Sequence, residues 1–393
     1  MTKEYGQSGE STWGIYLEMS SVKRVLVGEG SAEPTVGFER VRQYFSPAPV
    51  EFFFGVRRCS EGLDILGRPG VTAVANFPGR GMADYADKLS TCNLSAYNIS
   101  RAIDTGRLAP DAALVVASPP DAEGNRSLGT ANGPLQSVLD AAPLIFVEED
   151  AGLTVLPGAA TIVANKAVQV IPHVRPEFAA LSRPPKERDH ACARHIASLI
   201  QDGMPLQIGV GGIIEALADE LLTRRNLSIY TGAVGDSLRK LHVNGCLAKD
   251  RPILGSAMVG DESIMEWAAS SGKVHMASSR RIHNPRWLAR LSGFHSINIC
   301  LSVDLAGNIN SETIGNKKIS GKGGSPDFAK GAYRSPGGHA IVALQARDGA
   351  LVERISKPSI NGHWVSYIVT ENGIADLRGK AGIQRAKAIE KIF

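Results

Sequence analysis

Apolar and polar positions alternate strictly over residues 297–305. Ile297, Ile299, Leu301, Val303 and Leu305 are apolar, and Asn298, Cys300, Ser302 and Asp304 fall between them. Side chains two apart on a strand share a face. The pattern therefore predicts one strand whose amide, thiol, hydroxyl and carboxylate form a common wall. Elsewhere short apolar runs recur between stretches of helical spacing, the texture of an α/β protein with largely parallel strands. Runs 113–117, 144–148 and 168–171 predict strands in the first half, and 206–210, 227–230, 274–277, 340–344 and 364–370 predict strands in the second. Residues 215–223 and 261–270 have helical spacing, with Asp261 placed to cap the latter.

Residues 175–189 carry Pro176, the pair Pro184–Pro185 and a charged run from Lys186 to Asp189, after which an amphipathic helix is expected. That break divides the chain into candidate domains 1–185 and 186–393. At 393 residues, each half is large enough to bury its own core. No short repeat is visible, so a solenoid is excluded.

Composition narrows the function classes. Hydrophobic residues at 43% and charged residues at 21% describe a globular chain, and a net charge of +4 gives no general case for nucleic-acid or membrane binding. The five cysteines are scattered without CxxC spacing, which reads as reduced thiols in a cytoplasmic protein. Residues 1–14 are polar and lack the apolar centre of a signal peptide. The nine histidines form no HExxH-type pair, so no metal ligand set is expected.

Two glycine loops are the candidate binding elements. The strand at 206–210 runs into Gly209, Gly211 and Gly212 ahead of a helix, where exposed N–H groups and the helix N-terminus favour an anion. The spacing is not that of a dinucleotide fingerprint, and a tight strand–helix turn explains the glycines equally well. Gly321, Gly323 and Gly324 flank Lys322, and consecutive N–H groups there can converge on an oxyanion or a phosphate; the alternative is a surface turn. Lys322 and Arg334 would suit an acidic acyl chain or a phosphate, or simply be exposed cations. Ser302 has no GxSxG elbow, Cys300 reads equally as a small core residue, and Asp304 as a cap for the turn at Ala306–Gly307.

Five ordered segments together carry a family resemblance. Ser118–Pro119–Pro120–Asp121 with Gly124 and Ser127–Leu128–Gly129 is similar to an SPPDxxGxxSLG motif, and 206–213 to LQIGIGGIP. Val303–Asp304–Leu305–Ala306–Gly307 with Asn310 resembles VDLTGQVN, 320–324 with Asp327–Phe328 and Gly331–Ala332 resembles SGVGGQVDFxxGA, and 369–379 resembles VVTEYGVADLRG. On these motifs the chain resembles the acetyl-CoA hydrolase/transferase family of CoA-transferases, which includes 4-hydroxybutyrate CoA-transferase. The resemblance covers most of the chain after about residue 95. It implies two tandem open α/β domains of the CoA-transferase type with an interdomain active-site cleft. A coenzyme A thioester is then the substrate, with no permanently bound cofactor, and the assembly is a homodimer. It also implies that Gly209, Gly211, Gly212 and Lys322 bind CoA and that Gly321, Gly323 and Gly324 hold the thioester oxygen.

The departure falls at the decisive position. The family's strand motif, NSAIEVDL, carries a glutamate that attacks the thioester; Ser302 stands there in this chain. Ile214 replaces the proline of GGIP, and Ser325–Pro326 replace Gln-Val. A carboxylate nucleophile allows CoA exchange because anhydride and thioester are both reactive, whereas an acyl-serine ester is a downhill trap. Expected instead is acyl transfer from acyl-CoA to a non-CoA acceptor such as an amine or alcohol, directly or through Ser302, with Cys300 and Asp304 as further catalytic candidates. Thioester hydrolysis, conventional CoA transfer and silent acyl-CoA binding are the alternatives.

Overall fold

The computed structural model describes residues 22–30, 32–176, 184–315 and 317–393. The polar segment 1–14 and the middle of the predicted junction, 177–183, lie outside the described residues. Two sheets dominate. The first is seven-stranded and wholly parallel, in the order β4-β3-β2-β1-β5-β7-β9. Its strands are β1 (Lys23–Val27), β2 (Val50–Val56), β3 (Val71–Phe77), β4 (Leu89–Thr91), β5 (Ala112–Ala117), β7 (Leu144–Glu149) and β9 (Ala167–Pro172). A short ribbon of β6 (Arg126–Ser127) and β8 (Thr161–Ile162) lies beside it. Helices α1 (Gly37–Phe45), α2 (Ala96–Asp104) and α3 (Leu135–Ala141) connect these strands.

The second sheet is eight-stranded, in the order β13-β12-β11-β10-β14-β19-β21-β22. It comprises β10 (Pro205–Ile208), β11 (Ser228–Val234), β12 (Ile253–Met258), β13 (Val274–Met276), β14 (His295–Ile299), β19 (His339–Ala343), β21 (Tyr367–Thr370) and β22 (Gly373–Asp376). All its pairs are parallel except β21–β22, a hairpin. Its helices are α4 (Glu187–Ser198), α5 (Gly212–Glu220), α6 (Asp236–Val243), α7 (Glu262–Ser271), α8 (Ser279–Ile282), α9 (Pro285–Leu288), α10 (Ser325–Arg334) and α11 (Gly382–Glu390). Smaller pieces are the sheet β16-β15-β20, from β15 (Ser302–Asp304), β16 (Ile309–Asn310) and β20 (Leu351–Val352), and the hairpin of β17 (Thr313–Ile314) and β18 (Lys317–Lys318).

Burial explains which strands the sequence pattern predicts. Helices cover both faces of a parallel sheet, so its central strands are apolar without alternation. In the first sheet Leu26, Phe53 and Val74 pack on one face, while Val25, Phe52, Phe54 and Ala75 pack on the other. Strands β1, β2 and β3 carry no period of two and were not predicted, nor was β12, where Gly255 and Ser256 interrupt the apolar run. At α7 the Asp261 carboxylate accepts the Ile264 N–H, as the spacing predicted.

The wall at 297–305 is corrected. Residues 295–299 form β14 in the main sheet, but 302–304 form β15 in the small sheet. Cys300 N–H still donates to Ala343 O, extending the β14–β19 ladder, whereas Leu301 N–H donates to Asn310 O. Between those two residues the chain changes sheets. Asn298 therefore does not share a wall with Ser302 and Asp304.

Phe146 lies at 0% exposure in the first sheet, in edge contact with Tyr44. Phe146→Ala is expected to cost about 3–5 kcal/mol of unfolding free energy, read from the denaturant midpoint.

Candidate active site

Strands β10 and β14 are hydrogen-bonded neighbours, yet the chain passes from β10 to β11 on one side and from β14 to β19 on the other. Such a reversal opens a crevice outside the carboxyl ends of the two strands, where open α/β sheets bind ligands. Gly209, Gly211 and Gly212 lie at that end of β10. Gly211 has φ of 123°, which opens the turn into α5. Among the described residues the N–H groups of Val210, Gly211 and Gly212 donate to no protein acceptor. Gly209 N–H is used, donating to Ile297 O at 2.9 Å. Beneath the loop Gln207 and Asn298, both buried, exchange amide hydrogen bonds of 3.2 and 2.9 Å and lock β10 to β14. Val210 and Ile299 remain exposed at the rim.

The second glycine loop precedes α10. Its position is set by the first sheet: a Cβ on Gly321 would come within 2.2 Å of Asn76 O, so only glycine fits against the end of β3. Gly323 O accepts the Ala96 N–H at the start of α2. The N–H groups of Lys322, Gly323 and Gly324 donate to no protein acceptor among the described residues. Both loops thus carry unused donors, but Gly209, one of the residues singled out from sequence, spends its N–H on the neighbouring strand.

Ser302 is buried, and its hydroxyl oxygen accepts a bond from Asn310 Nδ2 at 3.1 Å. Among the described residues no carboxylate or imidazole takes its proton. The Cys300 thiol is pushed up to about 12 by burial, against a small opposing pull from Arg347, so it stays protonated at neutral pH. Asp304 is buried and accepts from Ala306 N, Asn308 N, Asn308 Nδ2 and Ile355 N at 2.9–3.0 Å. Its carboxylate is consumed by the turn, the capping role the sequence left open. The wall still reaches the glycine loop through backbone: Asn310 precedes the β17–β18 hairpin, and Glu312 O accepts from Ser320 N, next to Gly321.

Two features were not singled out from sequence. Asp327, 5% exposed, accepts from Ser95 Oγ at 2.7 Å and Tyr97 N at 3.0 Å, capping α2 from the other sheet's helix. Burial pushes its carboxyl up to about 7, against the pull of those donors and of Lys330. Around it opens a polar cleft of about 510 Å³ that also takes in Lys322. The SxxN spacing at 95–98 was the available signal for the α2 terminus; nothing local marks Asp327 as its partner.

Two open, largely parallel sheets meet where the Gly321–Gly324 loop rests on the end of β3, an architecture of the CoA-transferase type. A profile of the acetyl-CoA hydrolase/transferase C-terminal domain matches residues 260–392. The 4-hydroxybutyrate coenzyme A transferase of Clostridium kluyveri is 31% identical over 312 residues, spanning 75% of this chain and 72% of its own. The chain belongs to the acetyl-CoA hydrolase/transferase family. The same fold is seen in RipA from Yersinia pestis, with TM-score 0.83 and 22% identity over 94% of this chain and 90% of that one. It is seen also in a 4-hydroxybutyrate CoA-transferase from Porphyromonas gingivalis, with TM-score 0.74 and 22% identity over 96% of this chain and 92% of that one.

Two outcomes follow for the buried acids. Asp304→Ala leaves three backbone N–H groups without their acceptor and is expected to cost at least ~1–3 kcal/mol, read by denaturant unfolding. Asp327 holds its proton in the folded chain between the unfolded value of about 3.9 and about 7. Its contribution to stability is therefore greatest at the acid end of that window and falls as pH rises through it. Stability of the native protein minus that of Asp327→Asn should decrease from pH 5 to pH 8; a constant difference would refute the assignment.

Proposed function

We propose that this chain catalyses acyl transfer from an acyl-CoA thioester to a non-CoA acceptor, an amine or an alcohol, by direct attack. The observation that carries this reading is the pairing of unused loop N–H groups with a nucleophile position that lacks both a carboxylate and a base. The loop donors stabilise the oxyanion that forms when the acceptor's lone pair adds to the thioester carbon. One preorganised donor of this kind is worth roughly 10²–10³ in rate. Collapse breaks the C–S bond, and the departing thiolate takes the acceptor's proton, leaving free CoA and the acylated acceptor.

Ser302 is the less favoured relay, because among the described residues no side chain accepts its proton and an acyl-serine ester would not return the group to a thiol. Cys300 would match a thioester in energy, but its thiol is held protonated. Water is the simplest acceptor, so slow thioester hydrolysis accompanies the same chemistry. The working assembly is a cytoplasmic homodimer; five unpaired cysteines suit a reducing compartment.

The reading is tested by free-thiol release from acetyl-CoA across a panel of amines, alcohols and carboxylic acids, with intact mass recorded in parallel. Expected are acceptor-dependent release, no acyl adduct, and a loss of less than about tenfold in Ser302→Ala, under ~1.4 kcal/mol of transition-state stabilisation. An adduct absent only from Ser302→Ala, or only from Cys300→Ala, would replace direct attack by that nucleophile. CoA moving to free acids would restore the ordinary family reaction. Binding without release under any condition would make the protein an acyl-CoA binder.

A further inference from the structure

His283 follows α8 directly and is a buried imidazole that the acyl-transfer step leaves unused. Its side chain is 3% exposed, and its ring stands 4.8 Å from that of Phe328 on α10. Two hydroxyls converge on one of its nitrogens. Ser256 Oγ from β12 lies 3.3 Å from Nδ1, and Ser279 Oγ from α8 lies 3.2 Å from it. Among the described residues neither hydroxyl has another acceptor for its proton, and the opposite nitrogen, Nε2, has no hydrogen-bond partner.

A buried hydroxyl proton without an acceptor is destabilising. The arrangement that removes the penalty puts the lone pair on Nδ1 and the proton on Nε2. Burial pushes the imidazole down to about 3, with no neighbouring charge opposing it. At neutral pH the ring is therefore uncharged and donates through Nε2. Packing against Phe328 needs only an aromatic ring; it does not need two hydroxyls directed at Nδ1.

The Nε2 edge faces two glycines. A Cβ on Gly324 would come within 2.5 Å of Nε2, and one on Gly232 within 3.2 Å. Gly324 closes the second glycine loop and carries one of its unspent N–H groups. Gly232 lies on β11 next to Thr231, whose hydroxyl donates to Ile208 O at 2.7 Å, one residue before Gly209. The unpartnered N–H thus stands where the second loop meets the strand end beneath the first.

We propose that His283 is a catalytic residue whose Nε2–H donates to the thioester carbonyl oxygen, beside the N–H groups of Lys322, Gly323 and Gly324. The inference rests on the reading that this loop polarises a bound thioester, and it holds whichever acceptor then attacks. A neutral imidazole N–H strengthens its bond as negative charge builds on that oxygen and gives up no proton, so the proton balance of acyl transfer is unchanged. Ser256 and Ser279 are positioning residues that fix the tautomer.

The contact is tested before any turnover by difference infrared spectroscopy of acetyl-CoA carrying 13C at the carbonyl. Bound to the native protein, that carbonyl should absorb at lower frequency than in solution. His283→Phe keeps an aromatic ring, removes the N–H and should lose part of the shift. The same variant should lower kcat for thiol release by roughly 10²–10³, with KM changed by less than about threefold. His283→Gln, whose amide nitrogen reaches about as far from the backbone as Nε2, should recover at least about tenfold of that loss. In the native protein, 15N NMR should find His283 neutral and protonated on Nε2 across about pH 5–8.

A ring protonated on Nδ1 or charged, an unshifted carbonyl, a shift that His283→Phe retains, or an unaltered kcat in that variant each overturns the proposal. If His283→Phe does not fold, the native-protein spectra and His283→Gln decide. Acceptor-dependent thiol release with an unshifted carbonyl would sink the role of His283 and leave the acyl-transfer reading standing. A shift lost in His283→Phe, with no thiol release to any amine or alcohol, would do the reverse.

Discussion

The structure turns on the reversal between β10 and β14. Parallel neighbours whose chains leave in opposite directions cannot be covered at their carboxyl ends by their own connections. The crevice that results is lined by the end of β10, where Gly211 and Gly212 leave their N–H groups unspent, and by the end of β14. The Gln207–Asn298 amide pair holds those strands in register directly beneath it. A buried reciprocal amide pair is expensive to disrupt, because each partner would strand the other's donors and acceptors. The floor of the site is therefore rigid while its rim, Val210 and Ile299, stays exposed.

Above that floor the chain crosses between sheets within two residues, Cys300 and Leu301. This crossing places Ser302, the position that the motif resemblance sets against a family glutamate, at the start of a small sheet rather than inside the main one. On that resemblance serine supplies neither the leaving group nor the charge of a carboxylate. The surrounding polar groups do not compensate: Asn310 donates to Ser302, and Asp304 is spent on its own turn. What persists is the set of unspent loop N–H groups, on which the proposed direct attack rests.

The contact between the two sheets is polar as well as close. Gly321 rests on the Asn76 carbonyl, Gly323 accepts from Ala96, and Asp327 caps α2. One carboxylate thus anchors the helix of one sheet to the helix that carries the second glycine loop. Five cations, Arg101, Arg286, Lys322, Lys330 and Arg334, line the cleft around it.

The class of fold, both glycine loops and the strands with clear apolar runs, such as β5, β7 and β19, were legible from residue order alone. Ordered motifs were enough to show the family. Strands β1, β2 and β3 stayed illegible because Arg24, Glu51, Gly55, Thr72 and Asn76 cut their apolar runs to three residues. The strict alternation of 297–305 misled for the opposite reason: period two describes each short strand correctly but cannot register that the hydrogen-bonding partner changes at Leu301. Only the tertiary structure decided which polar groups have partners. It assigned Asp304 to a turn, set Asn310 as donor to Ser302, and gathered Arg101, Arg286, Lys322, Lys330 and Arg334 from four separate elements into one cleft. Pairing between side chains so far apart in the chain is a property of packing, and no local pattern encodes it.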